Sequence, residues 1–451
     1  MTLDRSYRDN AVSAARAAAG RRRAGLDLLA GPDFAPAAPR FDQLPEAADL
    51  ARVRAASVAL DLPNPFFRVH EGHAAARSVI GGREVLNFAS YDYLGLNTDP
   101  RVAEAAKAAI DLYGLSPSGS RLVSGNRPVH DALESALAQH YGTEAALTFV
   151  SGHSTNVSTI GCLMGEGDLI LYDALCHNSI QVGMKLSGAT RRVFAHNDMA
   201  ALETLLREHR RRHRRALIIT EGLFSMDGDC PPLAELVALK QQYGCWLMVD
   251  EAHALGCVGA TGAGSFEAQG IATTDVDIWM GTLSKTLAST GGYIAGSAAL
   301  VDILRGHASG FVYSVALAPV LAASALRALE LMQEETWRVR ALQENAASFI
   351  AQGRAAGLDT GTAGPFSIVP VQVGDSLLAA KLSDRLLGRG INVLPVMFPA
   401  VPMQSARLRF FLGSLHDRLQ IAAAVLVLAE EVHALRAEGF GTAVPQALLS
   451  L

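Results

Sequence analysis

The segment Gly281-Thr-Leu-Ser-Lys285-Thr follows an apolar run and precedes Gly291-Gly-Tyr-Ile-Ala-Gly296. A lysine among small and hydroxyl residues at a strand end faces the crevice where α/β sheets hold ligands. There its amine can bond covalently to the carbonyl carbon of a phosphate-bearing cofactor. Thr282 and Ser284 would then offer hydrogen bonds to the phosphate. Alone, such a lysine reads as a solvated loop charge, but its neighbours argue otherwise. Trp246-Leu-Met-Val-Asp250-Glu-Ala-His253 is a hydrophobic strand that ends in an acid, with a histidine three residues on. Phe149-Val-Ser-Gly-His153-Ser-Thr-Asn156 joins an apolar run to a helix, so the N–H groups around Ser151, Gly152 and His153 form an anion seat. Plain helix capping is the alternative there. Asp173-Ala-Leu-Cys-His177-Asn-Ser and Glu221-Gly-Leu-Phe-Ser225-Met-Asp-Gly-Asp229 end two more strands. The second offers a hydroxyl and a tight turn, features an ordinary β-α loop would share.

A lysine, an acid and a phosphate seat at neighbouring strand ends together describe a site for pyridoxal 5′-phosphate. A carboxylate facing the pyridine nitrogen keeps it protonated, so the ring can accept electrons from a carbanion formed at a substrate Cα. Asp250 is the candidate acid. Without Lys285, it would read equally well as a helix cap, and His253 as a core histidine.

Three further stretches extend the pattern: Asn87-Phe-Ala-Ser-Tyr91-Asp-Tyr-Leu-Gly95, Gly119-Ser-Arg-Leu-Val-Ser-Gly125, and Arg407-Leu-Arg409 ahead of His416. With them the chain from about Asn87 to His416 resembles the α-oxoamine synthase family of pyridoxal phosphate enzymes. The resemblance implies a fold-type I transferase that works as a homodimer, with the active site at the subunit interface. It implies that Lys285 is the cofactor lysine, that Asp250 meets the ring nitrogen, and that His253 and Ser225 approach the ring hydroxyl. His177 would stack on the ring, Thr282 would bind phosphate, and Arg409 would hold the amino-acid carboxylate, with Arg407 structural. Tyr91 stands where the biotin-pathway and aminolevulinate members usually carry Asn, and His153 where Phe or Tyr is frequent. Both are similar to serine palmitoyltransferase and to members attached to polyketide assembly lines. Ser120 replaces a threonine that favours glycine in aminolevulinate synthases, so alanine or serine is expected to be accepted.

The implied reaction is a decarboxylative condensation. Lys285 removes the Cα proton of a small amino acid, the carbanion attacks an acyl thioester, and loss of thiol and CO2 leaves an α-amino ketone. The rivals are an aminotransferase or lyase on the same fold and a non-catalytic subunit, and the presence of Lys285 argues against the latter.

The elements that must position these residues follow from periodicity. Short apolar runs at Asp168–Tyr172, Arg192–Ala195, Ala216–Thr220, Trp246–Asp250 and Asp277–Met280 predict strands. Amphipathic stretches between them, such as Met199–Glu208 and Pro232–Tyr243, predict crossover helices and hence an α/β domain with a mostly parallel sheet. A helical stretch over Val320–Gly353, apolar runs at Phe366–Val373, Val393–Met397 and Leu408–Leu412, and a helix from about Asp417 predict a smaller α+β domain. The expected division is 1–65 as a helical extension and linker, 66–110 as an N-terminal segment, 111–318 as the cofactor-binding domain, and 319–451 as the small domain.

With 451 residues, 50% of them hydrophobic and 18% charged, the chain is an enzyme-sized globule, and its net charge of −5 disfavours nucleic acid. Five cysteines without a Cys-x-x-Cys spacing suggest neither a disulfide framework nor a zinc cluster, so a cytoplasmic setting is expected. No run approaches the roughly 20 apolar residues of a membrane span. Arg207-Glu-His-Arg-Arg-Arg-His-Arg-Arg215, with Arg21–Arg23, is either a solvated helix end or a docking patch for an acidic acyl carrier protein; that carrier or coenzyme A would deliver the thioester.

Overall fold

The computed structural model describes residues 40–441. Residues 1–39 of the expected extension, including Arg21–Arg23, lie outside the described residues. The chain divides into two compact units, one ending at Leu60 and the other starting at Asp61. In the first, helix α1 covers Pro45–Ala59.

The second unit opens with a hairpin of β1 (Arg77–Ile80) and β2 (Arg83–Asn87). Gly81 and Gly82 turn it with φ of 57° and 71°, left-handed values that glycine takes at no steric cost in a two-residue hairpin turn. The main sheet follows: β3 (Ala145–Phe149), β4 (Leu169–Asp173), β5 (Thr190–Phe194), β6 (Ala216–Glu221), β7 (Trp246–Asp250), β8 (Ile278–Thr282) and β9 (Gly292–Gly296). Their spatial order is β3-β9-β8-β7-β6-β4-β5. Strands β4 to β8 run parallel to one another, whereas β9 runs antiparallel to both β8 and β3. The interior strands are apolar throughout because both faces are covered: β6 is buried at every position. Ile218 and Val249 pack into one core, and Leu217, Ile219 and Met248 into the other.

Helices flank the sheet: α2 (Pro100–Tyr113), α3 (Pro128–Tyr141), α4 (Gly152–Leu163), α5 (Asn178–Ser187), α6 (Met199–His209), α7 (Leu233–Tyr243) and α8 (Ala298–His307). The crossover helices return each strand in the same direction, so β4, β6, β7 and β8 end together at Asp173, Glu221, Asp250 and Thr282. That shared end faces the site.

The C-terminal part holds α9 (Pro319–Glu334), α10 (Trp337–Ala355), β10 (Ile368–Gly374), α11 (Ser376–Gly388), β11 (Ile391–Asn392), β12 (Leu394–Val396), β13 (Ala406–Phe411) and α12 (Arg418–Ala437). β10, β13 and β12 form an antiparallel sheet, while β11 joins β2 in parallel. Asp417 caps α12 by accepting from Leu419 and Gln420, where the sequence placed the start of that helix. The expected single helix over 320–353 is two helices instead. The break falls at Glu335 and Thr336, where the Glu335 carboxylate is held by Arg101 and Arg338. Among the described residues no helix is long and apolar enough to cross a membrane.

Candidate active site

A cavity of about 360 Å³ opens at the shared strand end. Tyr91, Ser151, Gly152, His153, His177, Ser225, Asp250, His253, Thr282, Lys285 and Arg409 all line it, so every site residue expected from the sequence converges there except Ser120. A second cavity of about 370 Å³ lies near Trp246 and Leu300, at the opposite end of the strands, and carries none of these groups.

Lys285 sits in the β8–β9 connection. That connection is pinned by the Leu283 N–H donating to the Gly291 carbonyl at 3.0 Å and by the Thr282 hydroxyl donating to the same oxygen at 2.9 Å. Lys285 is half-buried at the cavity wall, and burial pushes its ammonium down to about 8 against the pull of Asp250 and Glu221. An amine so placed is neutral far more often at physiological pH than a surface lysine.

Asp250 ends β7. Its Oδ1 accepts the Ala252 N–H at 3.0 Å and its Oδ2 accepts Asn156 Nδ2 at 2.8 Å. The same Asn156 nitrogen donates to Ser179 Oγ at 2.9 Å, and Ser179 Oγ lies 2.8 Å from His177 Nδ1. His177 caps α5, so its Nδ1 also accepts the Ser179 backbone N–H at 3.3 Å. An Nδ1 that accepts leaves the ring proton on Nε2. Burial lowers the pKa of His177 against the pull of Asp250, which favours the neutral ring with its proton on Nε2. His253 bonds the Tyr93 hydroxyl at 2.8 Å, and burial, then the Lys285 charge, drives its pKa well below the usual range.

The expected phosphate seat lies where two elements come into close contact. Ser151 caps α4, leaving the first N–H groups of that helix without intrahelical acceptors. A Cβ on Gly152 would lie 2.8 Å from Thr282 Oγ1, so only glycine lets the helix start approach β8 this closely. Arg409, on β13, donates from Nη1 to the Ser225 carbonyl at 3.0 Å. Arg407 spends its guanidinium on Asp227 at 2.6 Å and the Met226 carbonyl at 3.1 Å, in keeping with a structural role.

These residues fit pyridoxal phosphate: a half-buried lysine, a carboxylate held by two donors, a helix start and a hydroxyl share one cavity. Asn156 Oδ1 is buried there without a hydrogen-bond partner among the described residues, as expected of a group that meets a polar ligand. No group of three His, Cys, Asp or Glu that could hold a metal exists among the described residues.

Sequence reasoning missed Asn156, Ser179, Tyr93 and Glu221. All four lie inside the motifs named above, but only the fold links them. Glu221 accepts the His177 N–H at 2.6 Å, and burial, then Asp250, raises its pKa to about 8. Ser120 is absent from the cavity because its carbonyl closes a turn with Val123 and Gly125, and the Gly119 carbonyl beside it accepts from Ala316. Exposed Leu122, Val123, Tyr313 and Val315 surround that turn.

The arginine run is less available than its sequence suggests. Arg210 donates to the carbonyls of Tyr243, Gly244 and His213, and Arg214 and Arg215 both hold Asp168. Although burial opposes it, the two guanidiniums keep that carboxylate ionised down to about 2. The run ends where β6 begins, at the end of the sheet opposite the cavity.

The pattern that defines the family "Aminotransferase class I and II" matches residues 83–426. The chain is 43% identical to 8-amino-7-oxononanoate synthase of Geobacter sulfurreducens over 364 residues, 80% of this chain and 92% of that one. It is 44% identical to the protein of the same name from Methylorubrum populi over 350 residues, 78% of this chain and 86% of the relative. The fold superposes on Sphingomonas wittichii serine palmitoyltransferase with a TM-score of 0.84 and 31% identity, covering 88% of this chain and 99% of the other.

Proposed function

The chain belongs to the aminotransferase class I and II family and, within it, to the α-oxoamine synthases; on that premise we propose that it joins a small amino acid to an acyl thioester with loss of CO2 and thiol. The observation that carries the reading is the convergence of Lys285, Asp250, His177 and Arg409 on one cavity. Bound there, pyridoxal phosphate supplies an electron sink for carbanions at the substrate Cα.

The residues divide the remaining work. Ser151, Gly152 and His153 hold the phosphate with Thr282, and Asp250 holds a proton at the ring nitrogen. His253 and Ser225 hold the ring hydroxyl in place. His177 would lie against the cofactor ring, where its Nε2–H could donate to the bound substrate. Arg409 pairs with the amino-acid carboxylate, which fixes the Cα–H bond near Lys285 Nζ. The Lys285 amine, neutral in a good fraction of molecules near pH 8, takes that proton and later returns one to the product. Tyr91, beside Lys285 and at 4.8 Å centroid distance from Phe411, limits the space on the substrate side.

The enzyme acts as a homodimer in the cytoplasm. Its cofactor domain is 111–318, its small domain 319–451, and the segment 66–110 precedes them. Ser120 reaches the site from the partner subunit, which accounts for its distance from its own cavity and for the exposed apolar side chains around its turn. Coenzyme A or an acyl carrier protein brings the acyl group. Arg210, Arg214 and Arg215 are taken up by backbone carbonyls and Asp168, so a carrier that met the run would meet Arg211 and Arg212, at the strand ends opposite the cavity. The deciding experiment supplies a carboxyl-labelled amino acid and an acyl thioester, separately and together. Release of labelled CO2 and free thiol only with both present supports the synthase, whereas amino-group transfer to a keto acid would replace it with the aminotransferase.

A further inference from the structure

His196 follows β5 and does not line the cavity, yet it joins the two loops that do. Its Nδ1 lies 3.0 Å from Asp173 Oδ1 and its Nε2 3.0 Å from Asp229 Oδ2. With a carboxylate on each nitrogen, both must carry protons, so the ring is an imidazolium. Burial alone would lower its pKa, but the two acids lift it to about 10.

Asp173 ends β4, four residues before His177, and also accepts the N–H groups of Leu175 at 2.9 Å and Asn197 at 2.8 Å. Asp229 closes the loop after β6: its carbonyl accepts the Phe224 N–H at 2.9 Å. The other Asp229 oxygen, Oδ1, is buried with no partner among the described residues, so the loop's carboxylate depends on His196. The Phe224 ring meets His196 edge-on at 4.4 Å, and Asn197 donates to the Cys230 carbonyl at 3.2 Å while lying 3.3 Å from His196 Nε2. That second loop carries Ser225, whose carbonyl anchors Arg409, and Asp227, which anchors Arg407.

We propose that His196 is a positioning residue, a cationic clasp between Asp173 and Asp229 that keeps the loop bearing His177 and the loop anchoring Arg409 at one fixed spacing. It acts through those residues and touches neither substrate nor cofactor. The argument rests on the roles given above to His177 and Arg409, and the tests separate the two readings. Asp229→Ala opens one side of the clasp and leaves the Asp173 contact intact.

In the holoenzyme this variant is expected to raise KM for the amino acid about tenfold with kcat within about threefold, since small misplacements of a substrate anchor cost this much or more. Asp229→Asn, which keeps an acceptor oxygen, should recover most of the loss. His196→Gln should speed hydrogen exchange in both loops, 174–178 and 222–231, and alter the visible circular dichroism of the bound cofactor. Arg409→Lys, measured alongside, should raise KM without changing exchange in 174–178. If Arg409→Lys raises KM but Asp229→Ala does not, or if His196→Gln leaves exchange in both loops unchanged, the clasp is overturned. If Arg409→Lys leaves KM unchanged, the role of Arg409 falls, and the exchange data still decide on His196.

Discussion

Lys285 must be uncharged to bond a carbonyl carbon or to take a proton, and its surroundings serve that need. A lysine at the ordinary 10.5 is almost wholly protonated at neutral pH, whereas one at about 8 is neutral in about a tenth of molecules at pH 7. Cofactor-free protein mixed with pyridoxal phosphate should therefore gain the absorbance of lysine-bound cofactor about ten times faster at pH 9 than at pH 7, and then level off. A rate still climbing steeply toward pH 10.5 would mean that the amine is unperturbed. The chain from Asp250 through Asn156 and Ser179 to His177 gives a second expectation. Ser179→Ala removes the hydroxyl that turns His177 and should lower turnover roughly tenfold with cofactor content unchanged, within the range of a lost positioning bond. Loss of cofactor in step with activity would make Ser179 a part of the cofactor seat instead.

At the scale of elements, the start of α4 meets the end of β8 too closely to admit a Cβ on Gly152 without a shift. Thr282 cannot yield readily because its hydroxyl is committed to Gly291, so Gly152→Ala should weaken pyridoxal phosphate retention by about tenfold. Dialysis followed by cofactor absorbance measures this, and full retention would show that the helix start can shift. Strand β7 was legible to the residue in the sequence because a fully apolar run ending in an acid has few other readings. Other strand ends moved by one or two residues. The hairpin β1–β2 was not predicted, although Gly81-Gly82 between Arg77–Ile80 and Arg83–Asn87 is a two-residue turn signal. Lys285, Asp250 and His253 were legible because their chemistry is local to each strand end, whereas His177 stood out only through the family resemblance. Asn156, Ser179 and His196 were not, because their meaning lies in contacts across 23 to 94 positions of chain, which no local pattern encodes.

For the molecule as a whole, the exposed turn at Ser120 gives the homodimer its own test. Lys285→Ala and Ser120→Trp subunits should each be nearly inactive alone, the first by at least ~10³. Mixed dimers built from both should recover about a quarter of normal activity, because half the dimers are mixed and each restores one of two sites. Failure to recover would place Ser120 outside the partner's site. The arginines of β5 have a use that needs no partner. Among the described residues β5 closes the row of strands with an unpaired backbone edge, and its Arg191, Arg192 and Val193 are all exposed. Stacking a second such edge against it would bring like charges together, so the basic residues protect the chain from edge-to-edge aggregation, and neutralising them would show first as lost solubility rather than lost catalysis.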